Sequence, residues 1–85
     1  MIHRVRVVSP KDLGAVVRAT RKWQKLRQDE VGGFSHTFIG ELEAGKPTAQ
    51  LGKVLEALRE LGIKVQVELP PSMSLPALTE QRSER

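Results

Sequence analysis

Apolar positions recur at two different periods along the chain, and the change of period marks out its elements. Residues 2–8, Ile-His-Arg-Val-Arg-Val-Val, alternate apolar with basic side chains, which predicts a short half-exposed strand. Ser9-Pro10 then reads as a helix start: Ser9 accepts from a free amide of the first turn, and Pro10 at the first helical position has no amide to lose. Leu13, Val16, Val17, Thr20 and Trp23 fall on one stripe at helical spacing, so a first helix is expected over Pro10–Gln24. Gly14 inside it implies a close helix–helix approach, since glycine there costs about 1 kcal/mol against alanine. Gln28-Asp29-Glu30-Val31 predicts a short second helix with acidic residues at its positive end, stopped by Gly32-Gly33. Ser35 caps a third helix from His36 to Glu43, with Phe34 and Ile39 placed as a hydrophobic staple and Gly45 and Pro47 as its terminators. Thr48 is expected to cap a fourth, Ala49–Leu61, with Leu51, Val54, Leu55, Leu58 and Leu61 as its apolar face. Ile63, Val65, Val67 and Leu69 alternate with Lys64, Gln66 and Glu68, a second strand that Pro70-Pro71 ends.

These elements predict one mainly α domain over residues 1–69, followed by a tail, 70–85, with too little to bury to be ordered. A strand at each end of a helical bundle leaves unpaired backbone groups. Either the two ends of one chain meet, or residues 63–69 pair with their symmetry mate. The second arrangement is favoured, because a core this small gains from the added burial of a two-fold dimer sharing Ile63, Val65, Val67 and Leu69.

Composition narrows the function. The 85 residues contain no cysteine, which excludes disulfides, thiolate metal sites and a cysteine nucleophile. His3 and His36 are not at metal-ligand spacing, and no glycine-rich phosphate loop follows a strand, so neither a cofactor nor catalysis is expected. The absence of a long apolar run argues against a membrane span or a secretory signal, and a cytoplasmic protein fits. The formal charge of +4 is uneven: residues 1–27 carry +7 and residues 28–45 carry −4. A basic first third suggests a polyanion partner.

A short second helix, a glycine turn and a capped third helix together form helix-turn-helix architecture. The third helix must hide Phe34, Ile39 and Leu42, which leaves His36, Thr37, Gly40 and Glu41 facing out; small polar residues there let a helix enter a major groove about 12 Å wide.

The residues themselves carry a resemblance. Arg21, the run Leu26-Arg27-Gln28-Asp29-Glu30-Val31, and the run from Phe34-Ser35-His36-Thr37 through Glu43-Ala44-Gly45-Lys46 are similar to the Xre/Cro–C1 helix-turn-helix family. With Ser9-Pro10 ahead and a strand behind, the whole resembles HipB-type antitoxins over about residues 9–69. Two departures stand out: the stretch between Gln28 and His36 is about three residues shorter than the family spacing, and Arg27 stands where the family has a threonine cap. The resemblance implies a four- to five-helix, lambda-repressor-like domain with a terminal strand in an intersubunit sheet. It implies a homodimeric, autorepressing, DNA-binding antitoxin on a palindromic operator, neutralising a HipA-like kinase toxin of a toxin–antitoxin operon. It further implies base contacts from His36, Thr37 and Glu41, with one contact missing at Gly40, phosphate contacts from Gln28, Ser35 and Lys46, and a structural ion pair between Arg21 and Glu43. The alternatives are a stand-alone regulator and a protein-binding antidote or scaffold with weak DNA reading.

Overall fold

The computed structural model describes residues 3–74. Three α-helices and one 3-10 turn follow one another: α1 (Pro10–Trp23), the turn Gln28–Glu30, α2 (His36–Glu43) and α3 (Leu51–Glu60). They enclose a core of Val17, Val31, Ile39, Leu42, Val54, Ala57, Leu58 and Leu61.

Each helix begins and ends for a local reason. At the start of α1, Asp12 N–H donates to Ser9 Oγ (3.1 Å) while the Asp12 carboxylate accepts from Val8 N–H (3.0 Å), so two otherwise orphaned donors are satisfied reciprocally. Phe38 N–H donates to Ser35 Oγ (3.1 Å) at the start of α2. All three helices end in the same paired bonds back to the last turn. At α2 these run from Gly45 N–H to Leu42 O and from Lys46 N–H to Glu41 O. The closing residue is left-handed each time: Lys25 (φ 61), Gly45 (φ 85) and Gly62 (φ 78). Lys25 is the one non-glycine residue at positive φ among those described.

Several expectations are corrected. The second helix is a single 3-10 turn, so the domain has three helices rather than four or five; the shortened spacing leaves no room for another turn. Arg27 precedes it without a side-chain acceptor, and the Glu30 carboxylate instead accepts from Arg27 N–H (2.7 Å). The last helix starts at Leu51 after Gln50, not at Ala49 after Thr48. No strand forms among the described residues: the expected strands at 2–8 (from His3 on) and 63–69 have no ladder partner within one chain. Val5, Val7, Val65, Val67 and Leu69 are accordingly exposed, while Ile63 packs against the core. Most of the expected tail, residues 75–85, lies outside the described residues.

Two helices are also rolled relative to their apolar stripes. In α1 the buried positions are Gly14, Val17 and Arg21, and Trp23 is 79% exposed. In α3 they are Val54, Ala57 and Leu58, with Leu51 and Leu55 on the surface. The roll of α1 follows from backbone contact. A Cβ added at Gly14 would stand 2.5 Å from the carbonyl oxygens of both Leu42 and Glu43, so α1 meets the end of α2 main chain to main chain. Only glycine permits that approach.

Candidate nucleic-acid interface

The seam between α1 and α2 fixes the candidate reading helix. Arg21 and Glu43 are both buried there. Arg21 Nε donates to Glu43 Oε2 (2.6 Å) and a second guanidinium nitrogen donates to Oε1 (3.1 Å). The guanidinium also donates to Leu26 O (2.7 Å), tying in the chain that leaves α1. Gln28 Nε2 completes the cluster by donating to Glu43 Oε1 (3.1 Å). Burial alone pushes the Glu43 carboxyl up, but the hydrogen bonds from Arg21 and Gln28 outweigh it and hold the group below its ordinary value. The hydrogen bond to Glu43 likewise raises Arg21. A bidentate guanidinium–carboxylate pair allows little angular play, so the pitch of α2 is set from beneath.

Above this base, Ser35, His36, Thr37 and Glu41 are exposed and Gly40 is half-buried. The Ser35 Oγ already accepts from Phe38, which leaves its hydroxyl proton outward for an acceptor such as a phosphate oxygen. Glu41 and Lys46 are engaged with each other at 3.1 Å on the surface. Gln28 lies over Gly40: its Oε1 is 3.4 Å from where a Cβ at position 40 would sit. The residues singled out in the sequence therefore gather around one short helix, with Gln28 shared between its base and its surface. Phe34 stacks on Phe38 with ring centroids 5.3 Å apart and packs, partly buried, against the core cluster that includes the fully buried Ile39.

Sequence reasoning missed two neighbours of this helix. Lys53 of α3 lies with its Nζ 5.5 Å from the Phe38 ring centroid. With Arg59, Glu56 and Glu60 of the same helix it lines an open hollow of about 620 Å³ that also includes Ser35 and Phe38. The missing signal was tertiary: α3 folds back so that two basic and two acidic residues flank the start of α2. Around the turn, the exposed Arg27 and Asp29 pair at 3.1 Å; that hydrogen bond lowers Asp29, and the nearby His36 adds a smaller pull in the same direction.

Comparison with known proteins decides the family. No family model matches the chain. An uncharacterized HTH-type transcriptional regulator, y4mF of Sinorhizobium fredii (strain NBRC 101917 / NGR234), is 52% identical over 68 residues, covering 76% of this chain and 90% of the relative. The chain belongs to the helix-turn-helix transcriptional regulators. This family is non-enzymatic. Two solved structures share the regulator's fold at 17% identity. One is a point variant of HipB in complex with an O2 20mer, with a TM-score of 0.71 and coverage of 79% of this chain and 97% of that one. The other is HipB in complex with an O4 20mer, with a TM-score of 0.70 and coverage of 78% and 97%. No helix among the described residues is long and apolar enough to cross a membrane.

Proposed function

We propose that this regulator is a homodimeric repressor that binds a palindromic operator, delivering two copies of α2 into successive major grooves about 34 Å apart. The observation that carries the reading is the helix start at Ser35. It is capped, exposed, lined by small or polar residues, and held rigidly from below by the Arg21–Glu43 pair. His36, Thr37 and Glu41 are the base readers; Thr37 suits a thymine methyl and Glu41 a cytosine amino group. Ser35, Lys46 and the newly placed Lys53 contact phosphates, which position the domain without specifying sequence. On binding, Lys46 exchanges Glu41 for a phosphate and leaves the carboxylate free to read.

The dimer forms through residues 63–69 of each copy. Unpaired backbone and the exposed Val65, Val67 and Leu69 support an intersubunit sheet there. Likeness to HipB in fold supports a second task, neutralising a HipA-like kinase toxin so that the pair represses its own operon. Reduction of helix 2 to one turn favours a different reading, an antidote or scaffold that reads DNA weakly.

An operator pulldown with a salt series separates the two. Sequence-selective binding that weakens steeply with salt is expected of the repressor. Equal binding to cognate and random duplexes would leave the scaffold. A kinase-like neighbouring gene, and co-purification of its product with this chain, tests the toxin.

A further inference from the structure

We propose that Gln28, from outside the reading helix, supplies the sequence-specific contact that Gly40 lacks. The inference rests on the operator-binding reading above. Three observations converge on it. First, position 40 faces the reading surface but carries no side chain, so α2 alone offers nothing at that step. Second, the Gln28 amide borders that position: its Oε1, Nε2 and Cδ lie 3.4, 3.6 and 3.8 Å from where a Cβ would sit, at ordinary contact distance.

Third, the orientation of that amide is fixed by chemistry. Nε2 donates to Glu43 Oε1, and a carboxylate accepts only, so the amide cannot turn its oxygen toward it. One N–H and the whole of Oε1 are left over, and among the described residues no hydrogen bond to either is seen. A donor and an acceptor side by side on a planar amide match adenine N6 and N7 in the major groove. Gln28 opens the single 3-10 turn and lies over α2, where its proposed base contact takes the place of the backbone contact implied by the resemblance.

The test compares base preference, which a merely structural residue leaves unchanged. Wild type, Gln28→Ala and Gln28→Met are each used to select from a duplex library randomised across the bound site, with a thermal melt of each variant as a fold control. Glu43 keeps both bonds from Arg21, so the variants are expected to fold. The expected result is an adenine preference in wild type at one symmetry-related position per half-site. Both variants lose that preference about tenfold, and other positions keep theirs. Uniform weakening across all sequences would make Gln28 a phosphate contact and overturn the inference. An unchanged preference profile would overturn it as well, while the operator reading stood. A wild type that selects no sequence would sink both.

Discussion

The α1–α2 seam and the exposed apolar positions of α3 and residues 63–69 are built to opposite standards. In the seam every buried polar side chain has a partner, main chains touch at Gly14, and two buried charges neutralise each other. On the other surface Leu51, Leu55, Val65, Val67 and Leu69 are exposed and an extended segment has no ladder. One region is complete within a single chain; the other has the composition of an interior without the enclosure. The seam holds the candidate reading helix, and precision there is what a groove demands. The exposed apolar positions are those that the proposed dimer would cover.

This contrast breaks most sharply at Gly14. Gly14→Ala drives a methyl into the Leu42 and Glu43 carbonyls and is expected to cost about 3 kcal/mol or more, because no flexible side chain is there to yield. A urea melt would check it, and a midpoint unchanged from wild type would deny the backbone contact. Arg21→Met comes next. It leaves Glu43 buried with only Gln28 and is expected to cost about 3 kcal/mol, whereas the double change Arg21→Met with Glu43→Leu recovers much of the loss.

The same pair gives stability a pH dependence. Glu43 is held below its ordinary value, so its contribution is present above about pH 4.3, the unfolded value, and disappears as pH falls through the depressed folded one. Glu43→Gln should remove that acid-side decline, to be read as a flatter plot of melting temperature against pH.

In the exposed segment 63–69, Val65→Asp is expected to convert the proposed dimer to monomer with little change in the seam. Elution at dimer size would reject strand exchange through 63–69. The smallest effect belongs to Gly52. Its added methyl meets nothing within 4 Å, so Gly52→Ala should stabilise α3 by about 1 kcal/mol, a small upward shift in melting temperature.

How far the sequence could be read follows the same division. The caps at Ser9 and Ser35 and the stop at Gly45 are local events, and local chemistry announces them. In α1, Gly14 reads from the sequence as a close helix approach and Arg21, through the resemblance, as half of an ion pair; the stripe misleads at Trp23, which periodicity counts as core and the fold leaves exposed. Leu51 and Leu55 misled in the same way: their periodicity marks an apolar face, not what covers it. Lys53 beside Phe38 and Gln28 over Gly40 depend on how separate elements pack, which no single segment encodes.

The glycine contact under α2 has a consequence for what its outer face can tolerate. Because the angle of α2 is set by backbone against backbone and by one buried pair, the outward residues at 36, 37 and 41 carry no share of that task. Under the proposed operator-binding reading, those three positions are free to change the sequence preference while the pose of the helix stays as it is.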